Sequence, residues 1–213
     1  MLTLYYYPDN ASFAPHLLLK ETGLAHELRL VDRGNNAQRD PEYLKLNPAG
    51  RIPTLIAQGQ AIFETPAVMM TICEADPQQR FMPPLGHADR PKFFQWMAYL
   101  NNTLQAEFMV WRYPERHAET AEASLSVKAA QDRRLGDILQ LLDEALADRP
   151  YLLGQDISAC DHLLFMLALW CDKRLSRPAL SFGNIAGLMQ RMAARPAVKE
   201  VCMIEKIDLS HLL

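Results

Sequence analysis

The sequence predicts an α/β domain followed by an all-α domain. In the first eighty residues, short apolar runs alternate with helical patterns. Residues 76–89 then carry four breakers: Pro77, Pro83, Pro84 and Gly86. From residue 90 onward, apolar residues recur every three or four positions. We therefore place the first domain at 1–78, a linker at 79–88 and a helical bundle at 89–213.

The first domain is predicted to follow the order β-α-β-α-β-β-α. Strands are expected at 2–7, 28–31, 54–57 and 61–63, the last two joined by a glycine-containing turn. Helices are expected from Ser12 to Gly23, at 41–46 and at 64–75. This order predicts a mixed sheet with helices on its faces.

Composition and charge narrow the function classes. The net charge of −3, without a basic run, argues against nucleic-acid binding. The longest apolar run, residues 163–171, is too short to span a membrane, and no signal peptide is expected ahead of the first strand. Four scattered cysteines, with no Cys-x-x-Cys, predict buried reduced thiols and no metal site in a cytoplasmic protein.

Residues 50–70 predict a ligand site. Pro53 suits the first position of a strand, and a cis Ile52–Pro53 bond would leave the Ile52 backbone free for a ligand. Thr65 is predicted to cap a helix with Pro66 at its first position, and an exposed helix N-terminus attracts a carboxylate. Glu64 could bind an ammonium beside it. The expected ligand is an extended peptide with an amino-acid end.

Residues 47–55, Asn-Pro-Ala-Gly-Arg-Ile-Pro-Thr-Leu, followed by Glu64-Thr65, resemble the glutathione-binding half of the glutathione S-transferase family. The resemblance implies a thioredoxin-like first domain, glutathione as co-substrate without a metal, and a homodimer acting in detoxification. It assigns glutathione binding to Ile52, Pro53, Glu64 and Thr65, with Arg51, Arg33 and Gln38 as candidates for the glycine carboxylate.

The start of the chain, residues 5–16, resembles the first strand and helix start of bacterial transferases. The beta class usually reads Pro-Gly-Ala-Cys-Ser here, so Ala11 stands in the place of the Cys and Ser12 matches the Ser. The resemblance implies a serine-type site in which Ser12 donates a hydrogen bond to the glutathione thiolate. Asn10 and Tyr6 are alternative thiol contacts, and Ser12 as a plain helix cap also stays open.

The energy needed for thiol activation is modest. Lowering a thiol pKa from about 8.5 to roughly 6.5 requires about 2.7 kcal/mol. A helix N-terminus supplies about 0.3–1 kcal/mol and a hydrogen bond to a charged group about 1.5–3 kcal/mol. One donor at a helix start therefore suffices.

The helical half is expected to supply the second-substrate site through its first long helix. The beta class typically has a His near Gln105, which is a second departure from that class. The alternative interpretation is that the aromatic residues pack in the core or in a dimer interface and that the arginines are solvated. The candidates for this pocket are Phe13, Gln105, Phe108, Met109 and Arg112.

Ser158 and Asp161 have the spacing of a capping box and precede the most apolar helix. The same box precedes the central helix of the family's second domain, where it serves folding, so we assign it no catalysis.

The predicted activity is conjugation of glutathione to a small, mostly apolar electrophile. Two alternatives remain at this level. One is a glutathione-dependent disulfide reductase or peroxidase, which Asn10 and the missing Cys permit. The other is a non-catalytic binding or regulatory protein with the transferase fold.

Overall fold

The computed structural model describes residues 1–212, so Leu213, the last residue of the predicted helical domain, lies outside it. The chain forms two compact units. One comprises Met1–His87 together with the chain from Arg191 on, and the other comprises Ala88–Gln190. The proline-rich composition of residues 76–89 indicates where the chain leaves the first unit. It gives no indication that the chain returns to this unit at Arg191. Within residues 1–212, no helix combines the length and apolar character needed to cross a membrane.

The first unit contains the predicted mixed sheet. Strands β1 to β4 are Leu2–Tyr6, His26–Leu30, Thr54–Ala57 and Gln60–Phe63, in the order β2-β1-β3-β4. β1 runs parallel to β2 and antiparallel to β3, and β3 pairs antiparallel with β4. Helices α1, α2 and α3 are Phe13–Thr22, Pro41–Leu46 and Thr65–Ala75. The predicted order β-α-β-α-β-β-α is thus confirmed.

Five element ends differ from the predictions, and two of them are the last residues of β1 and β2, which each end one residue early. β2 starts at His26, two residues early, because its register with β1 pairs Leu2 with His26. The hairpin turn has two residues, since Gln58 and Gly59 both have positive φ and β4 begins at Gln60. Thr65 is not the cap of α3: Glu64 occupies the cap position, and Thr65 is already helical.

The rest of the chain is helical. A π-helical turn at Leu100–Gln105 lies between α4 and α5, and the predicted long helix ends at Arg112, before Pro114. The helices are α4 Arg90–Tyr99, α5 Ala106–Arg112, α6 Ala121–Ala145, α7 Ala159–Asp172, α8 Gly183–Ala194 and α9 Pro196–Glu205.

Helix α7 forms the centre of the second unit. All but one of its residues are buried, and the predicted capping box is present at its start. Asp161 Oδ2 accepts the Ser158 backbone N–H at 2.8 Å. The four cysteines are buried and form no disulfide among residues 1–212, as predicted. Burial raises the pKa of the Cys73 and Cys171 thiols, which keeps them protonated.

Candidate active site

The loop before β3 presents an unpaired backbone edge. The Ile52–Pro53 bond is cis, as predicted. The preceding carbonyl, that of Arg51, accepts hydrogen bonds from the Tyr43 hydroxyl at 2.6 Å and the Asn47 side-chain amide at 2.9 Å. Ile52 packs its side chain beside Tyr43, whereas its backbone N–H and C=O bond no group within residues 1–212. The edge is therefore available to an extended peptide.

The start of α3 lies directly after β4. Glu64 is exposed and has φ of 71°, a region that non-glycine residues rarely occupy and that occurs preferentially at functional sites. Thr65 is buried, and the N–H groups of the first helical turn have no intrahelical acceptor. A carboxylate is thus favoured at this helix end, next to the exposed carboxylate of Glu64.

Ser12 is buried at the start of α1, with no exposed surface. Its hydroxyl donates to the Tyr7 carbonyl at 3.1 Å and accepts the Tyr7 N–H at 3.2 Å. Ser12 occupies the N-cap position of α1, as the helix-cap interpretation expects, but its side chain makes no cap hydrogen bond. A hydrogen bond to a thiol would require the hydroxyl to release the Tyr7 carbonyl, because a hydroxyl has one proton to donate. In this geometry Ser12 holds the loop together.

Asn10 presents a donor in the same loop. Its Oδ1 accepts the Ala11 N–H at 2.8 Å, which fixes the orientation of the amide. Its Nδ2 bonds no group within residues 1–212, and the side chain is partly exposed. Tyr6, the other alternative, packs its ring edgewise on His16 with centroids 5.9 Å apart. Asn10 Nδ2 and the Tyr6 hydroxyl are thus donors without a partner within residues 1–212, whereas the Ser12 hydroxyl is committed, and of the two uncommitted donors only Asn10 lies in the loop before α1.

A buried contact between Glu205 in α9 and His16 in α1 supports the loop that carries Asn10. Glu205 Oε1 lies 2.6 Å from His16 Nδ1, and both side chains are almost fully buried. The second carboxylate oxygen of Glu205 accepts the Asp9 N–H at 3.1 Å. Glu205 therefore holds both the loop and the helix that follows it. Sequence reasoning missed this pair, since its members stand 189 residues apart.

Arg39 is a second residue that sequence reasoning missed. Its guanidinium lies against Gly50, where an added Cβ would approach Arg39 Nη1 to 2.9 Å. The side chains of Arg39, Arg33 and Arg51 form no ion pair with residues 1–212, and Gln38 Oε1 is buried without a partner there. Arg39 thus places an unneutralised cation beside the loop that carries Ile52. Its neighbours in sequence give no signal of this contact.

Gly50→Ala is expected to lower the free energy of unfolding by about 1–2 kcal/mol from its left-handed backbone alone, with a further loss from the contact. Its φ is +60°, and an alanine Cβ would also lie 3.0 Å from the Gln38 carbonyl oxygen. Gly59→Ala is the matched control, because Gly59 has φ of +78° and open space around it. Urea unfolding measures both. Equal losses would contradict the close packing of residues 38–39 on Gly50.

The predicted second-substrate residues separate into two groups. Phe108 is 3% exposed and stacks between Trp111 and Trp170, at 5.6 and 5.7 Å, and Phe13 is 1% exposed. These two rings pack in cores and have little surface left for a substrate. Gln105 and Met109 are half-buried and Arg112 is exposed. Gln105 ends the π-helical turn, a feature frequent at functional sites, and its Oε1 is buried with no partner in residues 1–212.

A thioredoxin-like mixed sheet, a cis-proline loop with a free backbone edge and an all-helical second unit define the glutathione transferase fold class. The family models described as "Glutathione S-transferase, N-terminal domain" and "Glutathione S-transferase, C-terminal domain" match residues 1–72 and 104–196. The chain belongs to the glutathione S-transferase family and is an enzyme of that family.

Relatives match along nearly the whole chain. Glutathione S-transferase GstA of Escherichia coli O157:H7 is 30% identical over 96% of this chain and 98% of its own length. Glutathione S-transferase GST-4.5 of Xanthomonas campestris is 27% identical over 97% and 100%. A sulfitobacter glutathione transferase homologue, solved with bound glutathione, has a TM-score of 0.86 at 26% identity, covering 96% of this chain and 98% of that one.

Proposed function

We propose that this enzyme binds glutathione and activates its thiol for attack on a small, mostly apolar electrophile, with Asn10 as the thiol donor. The observation that carries the thiol assignment is the contrast between two side chains of one loop. The Asn10 amide has its oxygen committed and its nitrogen without a partner within residues 1–212, whereas the Ser12 hydroxyl is buried and donates its one proton to Tyr7.

Three groups of residues support the placement of the tripeptide. The free Ile52 edge next to Pro53 pairs with the backbone of the cysteine residue. The N-terminus of α3 at Thr65 takes the γ-glutamyl carboxylate, and Glu64 takes its ammonium. The glycine carboxylate then needs a cation or an N–H donor, for which Arg39 joins the predicted Arg51, Arg33 and Gln38. Glutathione-bound relatives support the choice of ligand.

The proposed reaction is a displacement or an addition. The thiol gives its proton to solvent, and the Asn10 Nδ2 donor stabilises the resulting thiolate. The sulfur lone pair forms a bond to an electrophilic carbon, while a leaving group departs with its electron pair or π-electrons move onto the substrate. Gln105, Met109 and Arg112 are the second-substrate residues with free surface or an unused acceptor.

Asn10→Ala is expected to leave glutathione affinity within about twofold and to raise the pKa of the bound thiol by about one unit or more. A hydrogen bond to a charged acceptor contributes about 1.5–3 kcal/mol, so kcat/KM below that pKa should fall about ten- to hundredfold. Calorimetric titration with glutathione and the pH dependence of ultraviolet thiolate absorbance measure the two effects.

Ser12→Ala is the matched control for this experiment. It should lower the melting temperature through the lost Tyr7 bonds and leave the thiol pKa unchanged. The reverse result, with the thiol pKa raised in Ser12→Ala alone, would assign the thiol to Ser12. Failure of the wild-type protein to bind glutathione would overturn the proposed function.

A second candidate function is glutathione-dependent disulfide reduction. Ala11 stands at the position of the beta-class Cys, and all four cysteines of the chain are buried, so glutathione itself would have to supply the reactive sulfur. The uncommitted Asn10 amide is the observation that favours it. Wild-type turnover of a small mixed disulfide with glutathione, lost in Asn10→Ala, together with no conjugation of an apolar electrophile by the same protein, would support this candidate over conjugation.

We further propose that the enzyme works as a cytoplasmic homodimer. Dimers are typical of the family, and sedimentation equilibrium tests the assembly directly.

A further inference from the structure

We propose that Tyr43 is a positioning residue that sets the affinity for glutathione by fixing the direction of the Ile52 N–H. This inference rests on the proposed function, in which the Ile52 backbone binds the tripeptide. Tyr43 itself does not touch the ligand in this assignment. It acts through the peptide bond between Arg51 and Ile52.

The geometry begins with the planarity of that peptide bond. The Arg51 carbonyl and the Ile52 N–H belong to one peptide unit and, in the trans form, point in opposite directions. The Tyr43 hydroxyl at 2.6 Å and the Asn47 amide at 2.9 Å hold the carbonyl toward α2. The Ile52 N–H must then point away from α2, into the space where a peptide can pair with it.

The two donors also saturate the carbonyl. A carbonyl oxygen has two lone pairs, and Tyr43 and Asn47 use both. The Arg51 oxygen therefore does not compete with Ile52 for a ligand. Without the Tyr43 hydroxyl, one lone pair would be unsatisfied and the peptide unit could turn toward other donors, taking the Ile52 N–H with it.

Thr54 closes the arrangement on the other side of Ile52 and Pro53. Its hydroxyl lies 2.9 Å from the Tyr43 oxygen and 3.2 Å from Asn47 Nδ2. Since the one Tyr43 proton goes to Arg51, Thr54 donates to Tyr43, and Asn47 donates to Thr54. The chain of hydrogen bonds thus holds the residues on both sides of Ile52, and such chains strengthen one another.

The hydrogen-bond network of Tyr43, Asn47 and Thr54 is buried away from solvent. Tyr43 is 6% exposed, Asn47 2% and Thr54 not at all. Burial raises the pKa of Tyr43, so its hydroxyl remains a donor across the working pH range. Ile52 and Tyr43 also share one apolar cluster with Val31, which anchors the Ile52 side chain while its backbone stays open.

Tyr43→Phe tests the inference, because it removes only the hydroxyl. We expect the Kd and the KM for glutathione to rise about five- to tenfold, with kcat and the KM for the electrophile changed less than about twofold. γ-Glutamylcysteine, which lacks the glycine, should lose affinity by the same factor as glutathione. A loss confined to glutathione would instead indicate an effect on the glycine carboxylate and overturn the proposal.

Tyr5→Phe is the matched control. Tyr5 lies in the same cluster, with its ring centroid 5.7 Å from that of Tyr43, but its hydroxyl bonds exposed Arg29 and not the loop. Its glutathione KM should equal that of the wild type. If Tyr43→Phe lowers the melting temperature and leaves the glutathione KM unchanged, the positioning role is wrong.

Two further results distinguish a failure of the positioning role of Tyr43 from a failure of the proposed function. If the wild type does not bind glutathione, the proposed function itself fails. If the wild type binds and Tyr43→Phe binds equally well, only the positioning role fails. Should Tyr43→Phe be unfolded at the assay temperature, Thr54→Val removes the next hydroxyl of the chain, and a glutathione KM unchanged in that variant would overturn the proposal.

Discussion

Replacing Glu205 by alanine should lower the free energy of unfolding by about 3 kcal/mol, because it removes a buried carboxylate that accepts two hydrogen bonds. The carboxylate lies 2.6 Å from His16 Nδ1, and its other oxygen accepts the Asp9 N–H. Alanine would leave the buried His16 Nδ1–H without an acceptor and would also remove the acceptor of the Asp9 N–H. Guanidinium unfolding followed by circular dichroism measures the loss.

The matched control for Glu205 is Glu200, on the same helix. Glu200 pairs with Lys20, and their side chains are 48% and 35% exposed. Exposed pairs contribute about 0–1 kcal/mol, so Glu200→Ala should be nearly neutral. A double-mutant cycle with His16→Ala should show that the two losses are not additive. Equal effects of Glu205→Ala and Glu200→Ala would contradict the buried pair.

Asp161→Ala is expected to cost about 3 kcal/mol or more. The carboxylate is fully buried and accepts the Leu152 N–H, the Ser158 N–H and the Ser158 hydroxyl, each at 2.8 Å. A buried donor left without a partner costs about 1–3 kcal/mol, and two backbone donors would be left so. The loss should appear in thermal and urea unfolding, with glutathione affinity of the remaining folded protein retained.

Asp32→Ala is the control for the loss of a carboxylate cap. Asp32 also accepts backbone N–H groups, those of Gly34 and Asn35, but these bonds are exposed to solvent. Water can replace the lost acceptor there, so the cost should be about 0.5–1 kcal/mol. If Asp161→Ala proved as mild as Asp32→Ala, the buried capping box would not be a major source of stability.

Features with local signals could be predicted from the sequence. Gly23 ends α1 in the left-handed conformation, and the bounds of α2 match the predicted 41–46 at both ends. The cis bond before Pro53 and the capping box at Ser158 are also indicated by the residues that form them, a proline and a Ser-x-x-Asp spacing. In each case the residues that determine the structure stand within a few positions of one another.

The features that were missed depend on contacts between separate segments or on the local direction of a side chain or a helical turn. Glu205 meets His16 across 189 residues, and Arg39 contacts Gly50 only because the loops fold together. Nor does a residue pattern mark the π-helical turn at Leu100–Gln105. The role expected of Ser12 depended on where its hydroxyl points, which Tyr7, five residues earlier, decides. The direction in which a side chain points does not change the periodicity of a sequence, so it could not be predicted from that periodicity.

The burial of the four cysteines bears on how long the enzyme survives its own chemistry. Electrophiles that react with the glutathione thiol also alkylate accessible protein thiolates. Cys73, Cys160, Cys171 and Cys202 are all buried, and Ala11 occupies the one loop position where the beta class would expose a sulfur. Under the proposed conjugation, reactive substrates therefore meet no exposed cysteine thiol among residues 1–212. Self-inactivation by alkylation should be slow, and glutathione should be the thiol that is consumed.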